Sequence, residues 1–109
     1  MVLVPFPFDD LSEEKVRPAV CLTDPIGANR HVILSFISSQ IPAEMMESDL
    51  LLHTTRPGFA LTGLRVSSVL RLHRLMTVTT GLIRREMGML SPQMQGEVAD
   101  RLRRLFHLV

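Results

Sequence analysis

His31-Val32-Ile33-Leu34-Ser35-Phe36-Ile37-Ser38-Ser39 is the strongest strand in the chain, and its reading decides the fold. Ile33, Ser35 and Ile37 alternate with Val32, Leu34 and Phe36, so both faces are largely apolar. A strand apolar on both faces belongs in the middle of a sheet. Before it, Asp24 to Asn29 has the composition of a turn. Arg17-Pro18 opens a second strand that runs to about Thr23, Pro18 being tolerable where a missing N–H costs no ladder bond. Val2 to Phe6 is short and broken by Pro5 and Pro7, which reads as an edge or opening strand. Asp9 to Val16 is a polar loop.

After the central strand the pattern loosens from Gln40 to Gly63, with one apolar run at Leu50-Leu51-Leu52 and turn chemistry at Arg56-Pro57-Gly58. Gly58 and Gly63 read as ordinary loop glycines. Val66 to Leu72 is a further strand, with Val66, Ser68, Leu70 and Leu72 on one face and Ser67, Val69, Arg71 and His73 on the other. Met76 to Ile83 is read as a last strand. The period then changes. Met94, Val98, Leu102, Leu105 and Phe106 form one helical stripe, with Ser91 as N-cap and Pro92 at the first helical position. Glu97 with Arg101 and Asp100 with Arg104 are favourably ordered i, i+4 pairs. Strands joined by turns and closed by one helix predict a mainly β fold of the α+β class, antiparallel and barrel-like, as one domain over residues 1–109.

Composition bounds the rest. Aromatic residues are 5% of the 109, with no Trp or Tyr, so the core comes from Val, Leu, Ile and Met. A thin aliphatic core in a small protein favours oligomerisation, and the methionines at 45, 46, 87, 89 and 94 are expected in the core or between subunits. Cys21 lies alone in an apolar run and has no internal disulfide partner. No segment has the length of a membrane span and the start lacks the pattern of a signal peptide, so a cytoplasmic location is expected. Residues 1–55 carry eight acidic against three basic side chains, while residues 56–109 carry nine arginines against three acidic ones. An arginine-rich half suits phosphate contacts, and equally suits a solvated helix and edge strand.

The histidines at 31, 53, 73 and 107 have no second ligand at metal spacing, so neither metal nor cofactor is expected. There is no Gly-rich phosphate loop and no Gly-x-Ser-x-Gly elbow. What remains is a set of Arg, Ser and His side chains at predicted strand ends.

Two stretches carry a resemblance. Val2-Leu3-Val4-Pro5-Phe6-Pro7-Phe8-Asp9-Asp10-Leu11-Ser12, followed by Lys15-Val16-Arg17-Pro18-Ala19-Val20, resembles the opening of MazF/PemK-type toxins of bacterial toxin–antitoxin pairs. The likeness continues in order through Ile37 to Ile41, Gly63-Leu64, Val69-Leu70-Arg71-Leu72, Met76-Thr77-Val78 and Gly88-Met89-Leu90-Ser91. The resemblance implies a small SH3-like antiparallel barrel or twisted sheet with a C-terminal helix, working as a homodimer. It implies a metal-independent, sequence-selective endoribonuclease acting on single-stranded RNA, neutralised by a cognate antitoxin whose segment fills the RNA groove. It places the family's essential arginine on Arg17 and its essential threonine on Ser38, where serine keeps the hydroxyl and loses the methyl that stiffens the rotamer. A later basic residue of the family falls on Arg71, and an acidic one on His73. Family chains usually carry a Gly and an acidic residue before the first strand, whereas Met1 directly precedes Val2 here, so a shortened first strand is expected.

The residues suggest matching chemistry. A 2′-hydroxyl attacking its neighbouring phosphate needs charge stabilisation and proton transfer, and no metal. Arg17, fixed by Pro18, suits the phosphate oxygens, and Ser38 suits a second hydrogen bond to the same group. Arg71 and His73, at i and i+2, share one strand face, and imidazole suits proton transfer near neutrality. The candidate catalytic set is Arg17, Ser38 and His73; Lys15, Ser39, Gln40 and Arg71 are candidate RNA contacts. Two other readings stand beside it: a binding module that no longer cuts RNA, and a gyrase poison of a related toxin family. The second depends on a Trp-containing tail, and this chain ends His107-Leu108-Val109.

Overall fold

The computed structural model describes residues 1–5 and 16–108. Six strands form one sheet: β1 (Val2–Pro5), β2 (Val16–Cys21), β3 (His31–Ser38), β4 (Asp49–Leu52), β5 (Ser68–Thr79) and β6 (Arg85–Glu86). Their order is β4-β5-β3-β2-β1-β6, and every pairing is antiparallel. The apolar stretch at His31 takes the central place its two apolar faces demand. With β4 and β6 as its edges the sheet stays open, not closed into a barrel. Helix α1 (Pro92–Leu105) packs against β5 and β4.

Two expectations about strands are corrected. Leu50-Leu51-Leu52, read as an apolar run in a loose stretch, belongs to edge strand β4, which starts at Asp49. Val66–Leu72 and Met76–Ile83, read as separate strands, overlap one strand, β5 (Ser68–Thr79) of 12 residues, which starts two residues after Val66 and ends before the 3-10 turn Thr80–Leu82. Between the two stretches lies a bulge. Ser35 pairs with Leu75 and Ile37 with Leu70, so Phe36 alone on β3 stands opposite Arg71, Leu72, His73 and Arg74 on β5.

Three surplus residues are an odd number, so the bulge reverses which face of the sheet each side chain of β5 meets. Leu70 and Leu72 lie in the core under α1, with Ile37, Leu50, Leu52, Met94 and Val98. Beyond the bulge Met76 and Val78, of the same parity, pack in a second cluster with Val4, Ala19, Val32, Leu34 and Phe36. Two hydrogen bonds hold the bulge: the buried Ser35 Oγ donates to Arg71 O at 2.8 Å, and Leu72 N donates to Ser48 O at 3.3 Å.

The helix starts as its sequence predicts, with Ser91 Oγ accepting from Met94 N at 3.2 Å and Pro92 following. The expected i, i+4 ion pairs are not formed. Glu97 meets Arg56, Asp100 meets Arg103 at i+3, and Arg104 meets Glu47. The reason is one of scale: a helical ion pair contributes about 0.2–0.5 kcal/mol, too little to hold Glu97 or Arg104 against partners offered by neighbouring segments. Burial of Met94 contributes about 1.5–3 kcal/mol and sets how the helix lies. Of the other methionines, Met45, Met46 and Met89 are exposed, so of the two places expected for them the core of the chain is not the one they take.

Gly63 is not an ordinary loop glycine. Its φ is +80°, and a Cβ there would stand 2.5 Å from Met87 O. Gly88 lies as tightly against the backbone of Leu61 and Thr62, and Met89 N donates to Leu61 O at 2.9 Å. Only hydrogen side chains let these two loops touch.

Candidate active site

Register explains how residues far apart in sequence meet. Ala19 pairs with Phe36, Val20 with Ser35 and Cys21 with Leu34. Continued by two residues, the same register runs Arg17 toward Ser38, while the backbone of Arg17 pairs with Val4 on the other side. Alternation sends Arg17, Phe36 and Ser38 to the sheet face opposite α1, the face of Ala19 and Leu34. There they line one cavity of about 420 Å³. Gln40 and Arg71 are also on its wall, as are Arg74 and Met76.

Of the residues singled out from sequence, Arg17, Ser38, Gln40 and Arg71 therefore come together. Ser39 is exposed in the bend after β3 and is not part of the wall. Lys15 lies outside the described residues. His73 is not on the wall either: its Nδ1 is 3.3 Å from Ser48 Oγ and 3.9 Å from Asp49 Oδ1.

Ser38 is held by its own turn. Gln40 N donates to Ser38 Oγ at 3.0 Å, and the hydroxyl lies 3.4 Å from Gln40 O. The first contact fixes the oxygen, replacing the rotamer stiffness a β-branched threonine would have. The second is long, so the hydroxyl proton is readily redirected to an acceptor in the cavity.

Arg71 is aimed by Asp49. The carboxylate, with no exposed side-chain surface, accepts from Arg71 Nε at 3.0 Å and from Met46 N at 2.9 Å, while the Arg71 side chain is 20% exposed. Arg101 on α1 donates to Asp49 O at 3.1 Å, tying the helix to the same edge strand. Arg71 thus enters the site with its charge largely balanced.

Sequence reasoning missed Phe36, Arg74 and Met76 on the wall and Asp49 behind it. Asp49 had a signal, a carboxylate abutting an apolar triplet. Arg74 had none, since plain alternation assigns it to the face of Leu70 and Leu72. Among the described residues no group of three or more His, Cys, Asp or Glu side chains is arranged to hold a metal ion. Burial pushes the Cys21 thiol above its ordinary pKa, an effect the nearby N-terminal charge only partly offsets, so the thiol is protonated at neutral pH. Among the described residues no helix is long and apolar enough to cross a membrane.

The fold is shared with solved toxins. Mycobacterium tuberculosis toxin MazF-mt6 superposes with a TM-score of 0.69 at 18% identity, covering 100% of this chain and 99% of that one. An Mtb toxin does so with a TM-score of 0.65 at 16% identity, covering 94% and 97%. None of the curated proteins matches the sequence. The model of the PemK-like, MazF-like toxins of type II toxin–antitoxin systems matches residues 1–106, and the chain belongs to that family. Toxins of this family are generally endoribonucleases.

Proposed function

We propose that this chain is a metal-independent, sequence-selective endoribonuclease toxin that cleaves single-stranded RNA by transesterification. The observation that carries the reading is the cavity in which Arg17 and Ser38, on neighbouring strands, share one wall that holds no acidic side chain among the described residues. In this proposal the 2′-hydroxyl gives up its proton to water as its oxygen attacks the adjacent phosphorus, the bond from phosphorus to the 5′-oxygen breaks, and the departing oxygen takes a proton from water. Arg17 stabilises the non-bridging oxygens as charge accumulates on them. Ser38 donates to the same phosphate and holds it in line. The products are a 2′,3′-cyclic phosphate and a 5′-hydroxyl.

His73 is assigned a supporting role beside Asp49, not proton transfer. The pH–rate profile of His73→Ala is therefore expected to keep its wild-type shape; loss of a limb near neutrality would restore the histidine as an acid or base. The toxin is further proposed to act as a single-domain homodimer in the cytoplasm, held inactive by a cognate antitoxin occupying the RNA groove.

The test is incubation of the purified protein with mixed-sequence single-stranded RNA in excess chelator, with chemical analysis of the new ends. Cleavage at short recurrent motifs, with cyclic phosphate and 5′-hydroxyl termini, is the expected result. Intact RNA alongside tight antitoxin binding would instead favour a module that binds without cutting.

A further inference from the structure

The bulge in β5 does more than divide the core. In an unbroken strand Arg71 and Arg74, three residues apart, would point to opposite faces of the sheet. The parity reversal between them turns both toward the cavity that Arg17 lines. The two arginines are not equivalent there. Arg71 is bound to the buried Asp49, so most of its charge is spent within the protein. Arg74 is exposed and enters no ion pair or hydrogen bond among the described residues. Among the described residues no acidic side chain shares the wall with it. An exposed, uncompensated guanidinium beside a cleft is poised for an oxyanion from outside the protein.

We propose that Arg74 binds a backbone phosphate flanking the one that is cut, and that the three-residue bulge exists at this position to present it. This inference rests on the endoribonuclease reading and deepens it: it makes Arg74 a binding residue that grips any sequence, separate from the groups acting on the scissile phosphate. Ligation to a phosphate, in contrast to reading of a base edge, has a quantitative signature. Each phosphate neutralised on a single strand changes the slope of log K against log salt by about 0.7. At 0.1 M salt that amounts to about a fivefold difference in affinity.

The probe is a set of fully 2′-O-methylated RNA oligomers of differing sequence, which bind but have no 2′-hydroxyl to attack. Dissociation constants are measured from 50 to 200 mM salt, about the range over which such slopes are resolved, for wild type, Arg74→Ala and Arg74→Lys. The expected result is a slope shallower by about 0.7 in Arg74→Ala, equal weakening across sequences, and restoration of the slope by lysine. With cleavable RNA, Arg74→Ala is expected to raise KM and leave kcat unchanged. An unchanged slope, or weakening confined to particular sequences and not restored by lysine, overturns the assignment while leaving the nuclease reading intact. Failure of the wild type itself to bind RNA overturns both.

Discussion

Arg17→Ala is expected to lower the rate of RNA cleavage by about 10²–10³-fold in kcat, with a much smaller change in KM. Charge on the non-bridging oxygens is greatest in the pentacovalent transition state, so a donor aimed at them stabilises that state more than the bound substrate. Arg17 is well placed for it: its backbone pairs with Val4, Pro18 fixes the next φ, and its side chain reaches the cavity wall. Arg17→Lys is expected to recover little of the loss, since a point charge does not reproduce the fork that meets two oxygens at once. Single-turnover kinetics on a mapped substrate check this, with the melting temperature as the control for folding. A loss appearing wholly in KM would make Arg17 a binding residue only.

Asp49→Ala is expected to be the most damaging of the single changes around the site, costing about 3 kcal/mol of stability. The substitution removes the acceptor for Arg71 Nε and for Met46 N, and leaves a guanidinium four-fifths buried without its counter-charge. Arg71 retains some solvent contact, which keeps the cost at the lower end of the range for broken buried pairs. Set against a total stability of about 5–15 kcal/mol, such a loss is a large fraction. Asp49→Asn keeps an acceptor for Met46 N and is expected to fall between. Urea denaturation measures the difference as a shift in midpoint at constant slope. A midpoint for Asp49→Ala equal to that of wild type would mean the pair contributes nothing.

How much of this was legible beforehand follows from what each signal encodes. The central strand, the capped helix and the order of elements were readable because apolar period and cap chemistry are local. The likeness of the Arg17-Pro18 step pointed to the cavity for the same reason. The bulge was not readable. A three-residue insertion against β3 leaves no mark in the composition of β5, since its surplus residues, among them His73 and Arg74, are as polar as those of any strand end. Its consequence was to split one strand into two in the sequence reading and to leave Arg74 between them, with no face assigned. The helical ion pairs failed differently: the spacing was right, but Arg56 and Glu47, distant in sequence, are closer partners in the fold.

The most direct test of the central claim is a double-mutant cycle between Arg17 and Ser38 in the cleavage step. Ser38→Ala alone is expected to cost roughly 10–100-fold, the loss of one hydrogen bond to a charged group. If both side chains hold one phosphate, Arg17→Ala/Ser38→Ala is expected to cut RNA at nearly the rate of Arg17→Ala. A double mutant slowed by the full product of the two single effects would contradict the account, because it would mean that the guanidinium and the hydroxyl act independently.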